Sequence, residues 1–138
     1  KNITTEEILK LTNLAEDYNI FELVDNYLAK NQKKVSKIIN ENNFVDEDCI
    51  LIIRTLLNRS KRLLALKRIE NINSNKDAAI TSYRPAIFWK EKDLVKKQMS
   101  EWSETEIKKK IYKLTDLEVL VKSNTVGINL VSDFVCNY

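Results

Sequence analysis

Two tryptophans set among lysines carry the most evident chemical potential in this chain: Trp89 within "RPAIFWKEK" and Trp102 within "KKQMSEWS". Aromatic rings beside cations are what single-strand binders use to stack bases. Ile87, Phe88 and Met99 flank them, however, and point to a commoner use as hydrophobic anchors. On this reading Arg84-Pro85 ends a loop, because proline forces its predecessor out of helical geometry. Pro85, Phe88, Trp89 and Trp102 then form a structural anchor that sets an apolar plug onto the rest of the chain.

Other groups able to do chemistry are few. The sequence has no histidine, which excludes a Ser-His-Asp or Cys-His arrangement and any histidine metal site. Gly127 is the sole glycine, so neither a Walker A loop nor a dinucleotide fingerprint can be written, and no cofactor is expected. Glu104 with Glu106, and Asp116 with Glu118, are carboxylate pairs, but residues two apart point to different helix faces. They read as caps and surface charges. Cys49 and Cys136 lie far apart in apolar helical contexts, as reduced core thiols do. "QMSEW" (98–102) is similar to glutamine-led sliding-clamp peptides, yet those bind extended, whereas Met99 and Trp102 have helical core spacing.

Charge is distributed unevenly. Residues 54–113 carry 16 basic and 7 acidic groups, a net +9 between acidic ends, although the whole chain is only +3. Arg54, Lys61 and Arg68 recur every seven residues as a narrow basic ridge, a solvated face or an anionic or subunit contact. Lys108, Lys109, Lys110 and Lys113 form a second basic group. A polyanion or an acidic partner fits such asymmetry. Lysine outnumbers arginine 18 to 5, in a chain also rich in Asn and Ile. All three have A/T-rich codons, so lysine abundance alone is weak evidence for DNA binding.

The elements that must position these groups are helices. One Gly and one Pro in 138 residues disfavour turn-dense β classes, and no strand alternation stands out. No run of about 18 apolar residues predicts a membrane span. Thr4 and Glu7 have capping-box spacing and start a short helix. Ile20, Leu23, Val24, Tyr27 and Leu28 share a stripe, as do Val35, Ile38 and Ile39 after a cap at Asn31. "VDEDCILIIRTLLNRSKRLLALKRIENI" predicts the longest helix, about 23 residues or about 35 Å. Ile50, Ile53, Leu57 and Leu64 on one stripe, with Ile52, Leu56, Leu63 and Leu66 on another beside it, make it apolar over so much of its circumference that it belongs at the centre. "NSNKDAAITSYR" predicts the main loop. A helix resumes near Glu91, and Ser103 with Glu106 caps the next, whose stripe is Ile107, Ile111, Leu114, Leu117 and Val121. A last helix follows Gly127. The expectation is an all-α bundle of about seven helices. The chain begins at Lys1 without methionine, as a fragment of a longer protein would.

One series of residues goes further. Arg84-Pro85, Ile87-Phe88-Trp89, Lys90, Gln98, Trp102-Ser103, Leu114, Asp116, Glu118 and Lys122 resemble the C-terminal part of the delta subunit of bacterial DNA polymerase III, in its alphaproteobacterial form. That form has a second proline where this chain has Ala86. "FELVDNYLAKNQKKVSKII" and "DEDCILIIRTLLNRSKRLLALK" are similar to the preceding family segments, with the specific part at 84–122. The resemblance implies a clamp loader collar domain over 19–138, after a remnant of the lid domain over 1–18. It implies packing against the delta-prime and tau/gamma subunits, no enzymatic activity in this part, and a cytoplasmic location. It implies proximity to primed DNA, with Lys122, Ser123, Asn124 and Thr125 nearest, and contact with the sliding clamp only through an absent N-terminal domain. The alternative is a stand-alone helical nucleic-acid-binding module using the basic helix faces.

Overall fold

The computed structural model describes residues 18–42, 44–84, 86–123 and 127–136. These residues form seven α-helices and no strand: α1 (18–28), α2 (Gln32–Glu41), α3 (Asp46–Asn73), α4 (Lys76–Ser82), α5 (Lys92–Glu101), α6 (Glu104–Ser123) and α7 (Gly127–Cys136). The all-α bundle is therefore as expected. The helix anticipated around Thr4 and Glu7, and the proposed lid remnant apart from its last residue, lie outside the described residues.

α3 is the axis of the bundle. Its 28 residues span about 42 Å, and α4, α5, α6 and α7 all pack against it, α6 most extensively. Of its two expected apolar stripes, Ile52, Leu56, Leu63 and Leu66 are fully buried, as is Ile53 from the neighbouring one. Ile50, Leu57 and Leu64 are partly buried beside them. This is the near all-round burial that the composition of α3 requires. Its start is fixed by the Asp48 carboxylate, which accepts from Val45 N at 2.9 Å. It ends at Ser74, which enters the left-handed region (φ 56°) and donates its N–H to Glu70 O.

The segment read as the main loop contains α4. Asn75 accepts from Asp77 N and Ala78 N, the local signal that starts this helix, and Ala79 and Ile80 bury against the core. Seven residues are too few for helical periodicity to register. Ser103 and Glu106 form the expected reciprocal cap of α6, each backbone N–H donating to the other's side chain at 3.2 Å. The α6 stripe is buried as anticipated, with Ile111 partly so.

The C-terminus of α1 is closed from two sides. Lys30 takes a left-handed conformation (φ 56°). Asn31 N then donates to Asn26 O at 2.9 Å and Lys30 N to Tyr27 O at 3.0 Å, a Schellman closure without glycine. Asn31 turns directly into α2, accepting from Lys34 N. Two carbonyls of this last turn receive side chains of α5. Gln98 Nε2 donates to Asp25 O at 3.0 Å, and Trp102 Nε1 to Leu28 O at 2.6 Å. Trp102 thereby supplies a donor to a final carbonyl that has no partner within the helix, while Asp25 O, which already accepts from Ala29 N at 3.0 Å, takes Gln98 as a second donor.

Candidate functional site

The two tryptophans occupy opposite situations at the two ends of α5. Trp102 is buried, with its ring 6.1 Å from that of Tyr27. Phe88 and Trp89 are 55% and 69% exposed, so neither anchors the chain to its own bundle; that expectation is corrected. The apolar residue that docks is Ile87, after which the backbone turns at Phe88 into a 3₁₀ turn over Trp89–Glu91. The turn carries both aromatics outward. Their rings lie 5.9 Å apart, and Lys90 Nζ sits 5.4 Å from the Trp89 ring. Pro85 lies outside the described residues. "QMSEW" is helical up to its Trp102 cap, with Gln98 and Met99 buried, which is not how an extended clamp peptide is presented.

The basic ridge on α3 runs along the seam with α6. Arg54 Nε faces Glu118 at 3.8 Å and Arg68 Nε faces Glu104 at 3.9 Å. Two of its three charges are thus matched by α6 carboxylates, and Lys61 is exposed between them. The ridge follows the outer edge of this seam, with the Arg54 and Arg68 side chains 61% and 55% exposed. Glu118 also holds Lys122, at 3.5 Å. Asn124 and Thr125, and the side chain of Ser123, lie outside the described residues, so of the four expected DNA-proximal residues only Lys122 has a described side chain, and it is exposed.

A half-buried charge cluster joins α1, α3 and the turn before α5. Arg59 lies 3.7 Å from both Asp25 and Glu91, and Arg62 lies 3.8 Å from Glu91. Burial pushes the Asp25 carboxyl above its usual range despite Arg59 and Arg62. Burial likewise lowers Arg62. Asp25, Arg59 and Glu91 line an open cleft of about 520 Å³ together with Tyr18 and Phe21, and Arg59 lies over the Phe21 ring at 5.4 Å. Among the described residues no three Cys, Asp or Glu side chains converge as metal ligands would.

A second hollow, of about 220 Å³, opens where the end of α1 meets α6. Lys30, Lys109, Lys110 and Lys113 line it with Trp102 and Glu106. Lys30 Nζ lies 4.4 Å and Lys110 Nζ 5.9 Å from the Trp102 ring, and Lys110 also lies 5.1 Å from Phe134. Burial lowers the Lys110 pKa, and the charges of Lys113 and Lys30 lower it further. The sequence showed the lysines of α6 but gave no sign that Lys30 joins them, because Lys30 arrives through the left-handed turn ending α1.

Large apolar side chains also remain on the surface. Tyr18 is 67% exposed, Phe21 44% and Leu51 43%. Phe21 and Leu51 share a shallow groove of about 180 Å³ with Ile20 and Thr55, between α1 and α3. No protein-family model, curated protein or solved structure matches the chain.

Proposed function

We propose that this chain is a non-catalytic assembly domain, the C-terminal collar of a delta-type clamp loader subunit, working in the cytoplasm with delta-prime and tau/gamma partners near primed DNA. The observation that supports this most is the apolar α1–α3 face, where Tyr18, Phe21 and Leu51 remain open although the core beside them is fully packed. Exposed apolar side chains such as Phe21 and Leu51, which share one groove, suit a neighbouring subunit. The motif series from Arg84 to Lys122 supplies the identity of the neighbours.

Co-elution tests this reading. The wild-type chain should elute with a delta-prime and tau/gamma mixture, and the Phe21→Glu/Leu51→Glu variant should not, while retaining its helical circular dichroism. Failure of the wild type to co-elute would remove the collar assignment.

A nucleic-acid-binding module is the second reading, and the outward Phe88–Trp89 pair beside Lys90 favours it. Exposed rings next to cations stack on unpaired bases with little regard for sequence. The Arg54–Arg68 ridge adds little to it, since both arginines face α6 carboxylates. Trp89→Ala should weaken single-strand binding if this edge contributes, and leave it unchanged if the edge serves a protein partner.

A further inference from the structure

The lysines around Trp102 are more organised than a solvated helix face. Three of them, Lys109, Lys110 and Lys113, project from α6, and Lys30 comes from the other wall, at the end of α1. Lys109 and Lys113 are one helical turn apart and exposed, forming the rim. Lys110 and Lys30 are partly buried and held against aromatic rings, so their ammonium groups are positioned before any ligand arrives.

The compensation of charge is incomplete. Glu106 is the one carboxylate among the described lining residues. It lies 3.9 Å from Lys30 and also accepts from Ser103 N, which keeps it committed to the α6 cap. Its pKa is lowered chiefly by these Ser103 contacts. Lys109, Lys110 and Lys113 have no carboxylate within ion-pair distance among the described residues. Four cations therefore share a concave surface with one carboxylate, whose ion pair is with Lys30.

The chemistry of the lining narrows the ligand. All the charged donors are ammonium groups, point charges without the planar fork that recognises a carboxylate or a phosphate bidentately, so the lining holds an anion by charge and not by shape. The Trp102 ring is buried, its N–H is used by Leu28 O, and two ammonium groups lie near its ring. No base can stack there. A ligand held by charge alone, approached by several lysines from two walls, has the character of a phosphodiester backbone.

We propose that the hollow formed by Lys30, Lys109, Lys110 and Lys113 is a phosphate site for a nucleic-acid backbone, read without regard to sequence. This does not rest on assembly into a collar: the isolated chain has the complete hollow, and subunit co-elution and phosphate binding can each fail alone.

The test is fluorescence anisotropy of a labelled oligothymidine with the full chain, titrated at salt concentrations between about 50 and 200 mM. The Lys109→Gln/Lys113→Gln variant removes the rim and Lys110→Met removes the inner charge while keeping an apolar stem over Trp102. For a single strand each lost phosphate contact should flatten the slope of log K against log salt by about 0.7. The rim variant should therefore lose about 1.4 of slope and the triple variant about 2. Lys37→Gln, at a lysine facing Glu41, is the control and should leave the slope unchanged. Should Lys110→Met fail to fold, the rim variant carries the test alone, because its two positions are exposed. An unchanged slope in the rim variant overturns the proposal, as does absence of wild-type binding at the lowest salt. Free pyrophosphate competing as well as the oligonucleotide, at equal phosphate concentration, also overturns it, by assigning the hollow to a small ligand.

Discussion

Replacing Trp102 by phenylalanine separates a structural tryptophan from a surface one. The indole N–H donates to Leu28 O at 2.6 Å in a buried setting, and phenylalanine leaves that carbonyl without its donor. An unsatisfied buried acceptor costs about 1–3 kcal/mol. The smaller ring leaves part of the indole volume empty, a further loss of about 1 kcal/mol. Trp102→Phe should thus destabilise the chain by about 2–4 kcal/mol, or roughly 10 °C in Tm for a domain of this size. Trp89→Phe is the matched comparison, the same chemical change at a side chain 69% exposed. It should stay within about 0.5 kcal/mol of wild type. Urea titrations of the three proteins provide the numbers. Equal losses in the two variants, or a silent Trp102→Phe, would refute the claim that α5 closes the end of α1.

Two other substitutions test the interior. Ser60 Oγ is buried on α3 without a hydrogen-bond partner, so Ser60→Ala should raise stability by about 1 kcal/mol in the same titration. Asp25 tests the charge cluster through pH. Its folded pKa is raised chiefly by burial, so between the unfolded value of about 3.9 and the folded one the native state holds a proton that the unfolded chain has released. That contribution to stability is complete below the unfolded pKa and disappears as pH rises through the folded pKa. Asp25→Asn does not ionise, so its stability relative to wild type should improve as pH rises from about 4 toward neutrality. A relative stability that instead falls over this range contradicts the burial argument.

Helices with strong periodicity were legible in the sequence: the buried faces of α1, α2, α3 and α6 contain the residues that their stripes named. The caps at Asn31 and Ser103 were equally legible, because each is a local hydrogen-bond pattern. What escaped was non-local or short. α4 has seven residues and reveals itself only through the Asn75 cap. Phe88 and Trp89 looked like core because apolar composition does not say which way a turn projects its side chains; the 3₁₀ turn decides it. Arg54 and Arg68 looked available because their carboxylate partners are on α6, 64 and 36 residues away in sequence and invisible to spacing along α3. The hollow escaped for the same reason, since Lys30 meets Lys110 only after α1 has ended.

The position of Lys30 ties the proposed site to the stability of the bundle. A left-handed lysine is disfavoured relative to glycine by roughly 1–2 kcal/mol, yet at this turn the side chain gains a place over Trp102 and a contact with Glu106. The ring it covers is the one whose N–H closes α1. A polyanion bound there would relieve crowding among Lys30, Lys110 and Lys113 and bind only the folded form, because the hollow needs α1 and α6 together. By linkage its binding must then stabilise the fold, in proportion to the logarithm of ligand concentration above Kd. At a hundredfold excess over Kd the gain is about 2.7 kcal/mol, similar to the loss expected from Trp102→Phe. Oligonucleotide should therefore restore much of the Tm of Trp102→Phe if the lysines keep their places without the indole, and very little if the ring is what holds them.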